Sequence, residues 1–169
     1  MRTGWTVGVA RCVLWSVVFA AIPPAQAAGV RRASLAPADA AAVERARLGA
    51  AGRLENPECR RVFSDFRDLH GRTIEGKLEE WAVNPVEYLR TLPFLDGSGE
   101  ALCHRGKVML ASSPDVPRVV VCPGFAGLQR AQPRVAESLV IHELLHTLGL
   151  GENPPTPAEI TGRVEARCR

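Results

Sequence analysis

The sequence predicts an α+β fold, a small, mostly antiparallel sheet packed against several helices, and three observations carry that expectation. Two strand-like runs, Lys107–Ala111 and Arg118–Cys122, lie on either side of the turn Pro114-Asp115-Val116-Pro117. Proline and capping residues that start helices recur on both sides of this pair. The stretch from Arg134 to Leu148 is strongly apolar, reads as a helix, and is stopped by Gly149.

The first residues have another character. Arg2 and Arg11 precede an eleven-residue apolar core, Cys12 to Ile22, which Pro23-Pro24 break before Ala25-Gln26-Ala27. This is the layout of a secretory signal peptide, residues 1–27, cleaved after Ala27. The core is too short to span a bilayer as a helix, so no stable membrane insertion is expected once it is removed. The expected location is secreted or periplasmic. The full chain carries 21 basic and 18 acidic residues, and two of the basic ones are Arg2 and Arg11. The remainder is therefore nearly neutral, which excludes nucleic acid and anionic membranes as partners suggested by charge.

Residues 28–54 are rich in Ala and Arg. Pro37 could start a helix there, but no apolar stripe stands out, and the segment is assigned to a flexible leader. The organised domain is placed at 55–169. Cys59, Val62, Phe63, Phe66 and Leu69 recur at helical spacing up to His70-Gly71, where His70 would sit against the negative end of the helix dipole. A second helix is expected from Ile74 to Ala82, and a third from Pro85 to Leu92 with Asn84 as cap. Asp96-Gly97-Ser98-Gly99 reads as a turn, having too few carboxylates at ligand spacing for a calcium loop. After Pro123-Gly124 the chain is again helical. Thr156-Pro157-Ala158-Glu159 opens the last helix as a capping box, with Ile160, Val164 and Cys168 on one buried face.

Four cysteines follow the signal segment, and an even number in an exported chain predicts disulfides. Three pairings exist. Cys103–Cys122 and Cys59–Cys168 are favoured, because the first pair flanks the two strand-like runs and the second ties the first helical segment to the last. No C-x-x-C occurs, which weighs against a zinc–thiolate site.

The chemistry is concentrated in His142-Glu143-Leu144-Leu145-His146. Histidines four apart on a helix lie one turn above each other, so both imidazoles reach one ion. Glu143 is offset by about 100° around the helix, beside the ligands and outside their shell, where a general base belongs. Val140, Ile141, Leu144, Leu145 and Leu148 bury the remaining surface.

This segment resembles the zincin metallopeptidases. The longer pattern His142-Glu143-x-x-His146-x-x-Gly149-x-x-Glu152 partly resembles their metzincin branch, and the stretch to Cys168 resembles small uncharacterised bacterial secreted proteins with the same motif. The resemblance implies His142 and His146 as ligands of Zn2+, Glu143 as catalytic base, and a peptide or protein substrate whose bonds are hydrolysed by a zinc-activated water. Glu152 stands where the metzincin branch usually has histidine, and a carboxylate can fill that place. Both methionines, Met1 and Met109, precede the motif, so no downstream Met-turn exists and the resemblance stops at the zincin class. A glutamate on the following helix, Glu165 or Glu159, is the rival third ligand. Tyr88 and His104 are candidates for stabilising the transition state, each with an ordinary alternative as a packed and a surface residue. Two other readings stay open: a non-catalytic zinc-binding interaction domain of the cell envelope, and a disulfide-stapled module in which the motif is incidental.

Overall fold

Helix α7, Pro133–Thr147, is buried around nearly its whole circumference over its last two turns. A helix with no solvent face must be enclosed by other elements, and the rest of the chain is arranged to do this. The computed structural model describes residues 34–101, 103, 110–111 and 113–169. Residues 1–27, where a signal peptide is expected, residues 28–33, His104 and most of the run Lys107–Ala111 lie outside them.

Helix α1, Pro37–Leu54, packs against α7, α6 (Phe125–Ala131) and α5 (Pro85–Thr91). Residues 37–54 are thus part of the folded domain, contrary to their assignment to a flexible leader. The reason is the kind of side chain on the buried face. Ala42, Ala46, Ala50 and Leu54, spaced by four, are almost fully buried together with Val43. An alanine stripe has little hydrophobic contrast, so it is weak as a sequence pattern, yet it lets helices approach closely. Proline at the first helical position, Asp39 in the first turn and Arg53 in the last favour the helix locally. Two long-range polar contacts fix its rotation: Arg45 Nε donates to Gln129 Oε1 at 3.1 Å, and Arg53 Nε pairs with Glu137 Oε2 at 2.6 Å.

The segment expected to be helical up to Leu69 breaks earlier, into α2 (Pro57–Arg60) and α3 (Val62–Asp65). Phe66 is extended, and Arg67 pairs with Thr73 as a β-bridge. His70 therefore sits in an exposed loop and not at a helix end. Helix α4, Ile74–Glu80, follows with Thr73 as its cap, and α5 carries the Asn84/Glu87 capping box.

The sheet corrects the expected fold class. The molecule is mostly helical, and its sheet has three very short strands in the order β1-β3-β2: β1 Phe94–Asp96, β2 Leu110–Ala111 and β3 Val119–Val121. The β2–β3 pair is antiparallel, as the two runs suggested, but the longer ladder, β1–β3, is parallel. The sheet is therefore not mostly antiparallel. Three residues are too few to display a period of two, which is why β1 leaves no trace in the pattern.

Helix α8, Pro157–Arg167, begins at the expected Thr156/Glu159 capping box. It is tied down by the Cys59–Cys168 disulfide and by Arg167, which pairs with Asp65 at 2.8 Å and with Glu58. The second disulfide joins Cys103 to Cys122. Both are the favoured pairings. Among the described residues no helix is long and apolar enough to cross a membrane.

If α1 belongs to the core, overfilling its alanine stripe must destabilise the whole domain. Ala50→Leu is expected to cost about 1–3 kcal/mol, read as a lower denaturant midpoint with an unchanged slope; a mobile leader would tolerate the change at no cost.

Candidate metal centre

The site starts from the end of α7. Leu148 is the last half-helical residue, and Gly149 follows with φ +102°. Gly149 N–H donates to His146 O at 2.8 Å and Leu150 N–H to Leu145 O at 3.1 Å, the two bonds of a Schellman turn. The left-handed backbone demands glycine, and space demands it too. A Cβ at Gly149 would stand 2.9 Å from Asp115 Oδ1 and 3.1 Å from Asp68 Cβ.

The turn reverses the chain so that residues 150–152 come back over the histidines. Leu150 O accepts a hydrogen bond from His146 Nδ1 at 2.7 Å, and Glu152 Oε1 lies 3.2 Å from His146 Nε2. His142 Nε2 is 3.0 Å from His146 Nε2, and His142 Nδ1 is 3.0 Å from Thr161 Oγ1 on α8. His142 and His146 are only 4% and 3% exposed. Ligand atoms of His142, His146 and Glu152 all lie within 4.8 Å of one another.

These residues could hold a metal ion, and the electrostatics of the group fit one. A carbonyl only accepts, so His146 Nδ1 carries a proton, and in the neutral ring Nε2 then presents a lone pair. That lone pair faces a carboxylate oxygen at 3.2 Å. Two acceptors at this distance repel unless positive charge lies between them. Two imidazoles and a carboxylate supply the nitrogen and oxygen donors that a borderline divalent ion takes. The contacts on both Nδ1 atoms orient the rings, as outer-shell partners do in metal sites.

Of the residues singled out in the sequence, His142, His146 and Glu152 converge. Glu143, 5% exposed, lies one step around the same helix. Glu159 and Glu165 do not join the group. Glu159 Oε2 accepts from Thr156 N at 2.7 Å within its capping box, and the exposed Glu165 borders a cleft with Arg134 and Ser138. Tyr88 is buried beside Trp81, its hydroxyl donating to Thr147 O at 3.4 Å, and burial pushes its phenol pKa up. His104 lies outside the described residues. Asp96 accepts from Ser98 N at 3.0 Å in the expected turn.

Sequence reasoning missed the residues that support the site. Thr161 borders the buried Ile160/Val164 face of α8, and that periodicity is the one signal that could have found it. Asp68 and Asp115 wedge the Gly149 turn from either side. Leu69 N–H donates to Gly149 O at 3.1 Å, and Asp115 N–H to His146 O at 3.2 Å. Lys77 on α4 pairs with the Asp115 carboxylate. The Asp68 side chain is wholly buried. Burial alone would raise its pKa, but the N–H groups of Arg72 and His70 and the Arg72 guanidinium together hold it below the usual carboxylate value.

The chain matches no protein-family model, no curated protein and no solved structure.

Two outcomes follow from the supports of the turn. Gly149→Ala should destabilise the domain by about 1–2 kcal/mol from the backbone alone and should also weaken metal binding, measured by competition with a chromogenic chelator. Asp68 has a lower pKa folded than unfolded. Its contribution is therefore present above the unfolded value of 3.8 and disappears as the pH falls through the folded one. Thermal midpoints of the wild type should drop in that acid range, whereas Asp68→Asn should be less stable at neutral pH by about 1–3 kcal/mol and show a flatter acid limb.

Proposed function

We propose that the chain is an exported zinc metallopeptidase of the zincin class, with His142, His146 and Glu152 as metal ligands and Glu143 as general base. The observation that carries this reading is the convergence of two imidazoles and one carboxylate at the end of a buried helix, with a second carboxylate adjacent on that helix. The two disulfides fit an oxidising compartment, in keeping with the signal-like segment 1–27.

Zinc is favoured over harder ions because two of the three donors are nitrogen. When bound, the ion supplies Lewis acidity, which lowers the pKa of water and polarises a carbonyl. The remaining chemistry belongs to the chain. His142 and His146 offer Nε2 lone pairs, their orientation held by Thr161 and Leu150. Glu152 adds one negative charge, so the group leaves a net positive charge on a divalent ion. Glu143 receives the proton of the attacking water at its carboxylate and returns it to the leaving amine. The buried setting keeps bulk water from screening these charges.

The test separates binding from chemistry. The purified wild type should hold zinc in one-to-one ratio and cleave members of a peptide mixture. Glu143→Gln should lose at least about 100-fold of that activity while retaining the metal, and activity that survives this change rules out the mechanism. Glu152→Ala should weaken zinc binding by at least about tenfold, with Glu159→Ala and Glu165→Ala near wild type; the reverse order would move the third ligand to α8. Zinc held tightly by a wild type that cleaves nothing would leave a non-catalytic zinc-binding domain.

A further inference from the structure

A cleft of about 360 Å³ lies between α2, α3, α4 and the start of α5, a size within the range of small-molecule sites. None of the residues that line it belongs to the metal group. Its floor is apolar: Phe63 and Leu78 are buried there and Val83 is half-buried. Val83 N–H donates to Leu78 O at 3.1 Å, which closes the end of α4 and brings the cap of α5 to the rim. At that cap Asn84 Oδ1 accepts from Glu87 N–H at 3.0 Å, so the amide hydrogens of Asn84 remain to donate to a ligand carbonyl.

The charged residues of the rim are sorted by sign. Arg60 and Arg61 border the cleft from α2 and its C-cap, and Glu75 and Glu79 border it from α4. Among the described residues no ion pair joins the two sides. Arg61 pairs with Glu58 on its own side at 2.9 Å, and Arg60, Glu75 and Glu79 enter no ion pair. Glu75 suits the first turn of its helix, where a negative charge meets the positive end of the dipole. Glu79 has no such support: it lies in the last turn, and four residues from Glu75 it meets a like charge. Charges that served only to solvate the surface would gain from mixing their signs, not from this separation over an apolar floor.

We infer that this cleft is a peptide-recognition site separate from the metal group, for a short peptide with apolar side chains and both ends free. Its ammonium group lies against Glu75 and Glu79, its carboxylate against Arg60 and Arg61, and an apolar side chain covers Phe63, Leu78 and Val83. The two ends of one zwitterionic ligand match the two walls, whereas an inorganic anion or cation would leave one wall uncompensated. Burial of the apolar side chain supplies affinity, and the charged ends fix the direction in which the peptide lies. Hydrolysis of peptide bonds is the class of reaction that makes such ends, so the cleft takes a product of that class. The inference stands on the cleft alone and does not depend on the proposed metal chemistry.

The probe is the dipeptide Leu-Leu, titrated into the 15N-labelled full chain and followed by backbone amide shifts. The expected result is a saturable change at Leu78, Val83 and Asn84 with Gly149 and Leu150 unmoved, the same in the wild type and in Glu143→Gln. N-acetyl-Leu-Leu and Leu-Leu amide should each bind at least about threefold more weakly than the free dipeptide. Glu79→Gln should weaken Leu-Leu by a similar factor and leave N-acetyl-Leu-Leu unchanged; Arg60→Gln should weaken Leu-Leu and spare the amide. Both positions are exposed, so neither change endangers folding. Shifts confined to the metal turn, or capped peptides that bind as well as the free one, overturn the inference, as does the absence of saturable shifts at millimolar Leu-Leu. Failure of the proposed metallopeptidase reads differently, as missing zinc or missing cleavage with Leu-Leu still bound in the cleft.

Discussion

The reversal of the chain at Gly149 is the constraint on which the site depends. Its two backbone bonds end α7 and swing Leu150 and Glu152 back over the helix. One turn thus supplies both the carbonyl that fixes His146 and the carboxylate that completes the group. A side chain at this position would meet Asp115 and Asp68, so the same close packing that requires glycine also holds the turn in place. Asp68 and Asp115 are themselves bound on their far sides, to Arg72 and to Lys77. The precision of the site is therefore drawn from polar contacts that extend into α4 and the loop before it.

Enclosure of α7 is the second requirement, and it is shared between elements from opposite ends of the chain. Helix α1 lies close through alanines, and α8 covers the His142 side. Neither helix is held by apolar contact alone. Arg53 joins α1 to Glu137 on α7 and also donates to Cys168 O. The Cys59–Cys168 bond closes a separation of 109 residues, which restricts the unfolded chain and keeps α8 against α2 and α3. Arg167 and Arg163 both reach Asp65. The stability of a helix end far from the histidines thus sets where the Thr161 hydroxyl stands.

The residues of the candidate site were legible in the sequence to different depths, for a physical reason. His142, Glu143 and His146 lie within one turn and a half of a single helix, so helical periodicity alone brings them to adjacent faces. Glu152 was legible because a glycine that ends a helix constrains where the next few residues go. Leu150 contributes through its carbonyl, which has no signature in a sequence of side chains. Thr161 leaves only the faint trace of its place beside the Ile160/Val164 face of α8, and Asp68 and Asp115 reach the site from loops, where residue spacing carries no information.

The same division holds for the whole molecule. The sequence by itself determined the α7 helix and its stop, the capping boxes at Asn84 and Thr156, and the residue types that recommend a metal, because each is decided by interactions within about one helical turn. The favoured cysteine pairs also followed from the order of the elements. Tertiary structure alone decided that residues 37–54 are core, because a stripe of alanine becomes favourable only when another helix is there to lie against it. It decided that Phe66 to Leu69 leave the helical pattern, because the buried Asp68 and the Gly149 turn hold that segment in a loop. It also decided that β1 pairs parallel with β3, since strands of three residues are stabilised by the neighbours they find and not by any pattern of their own.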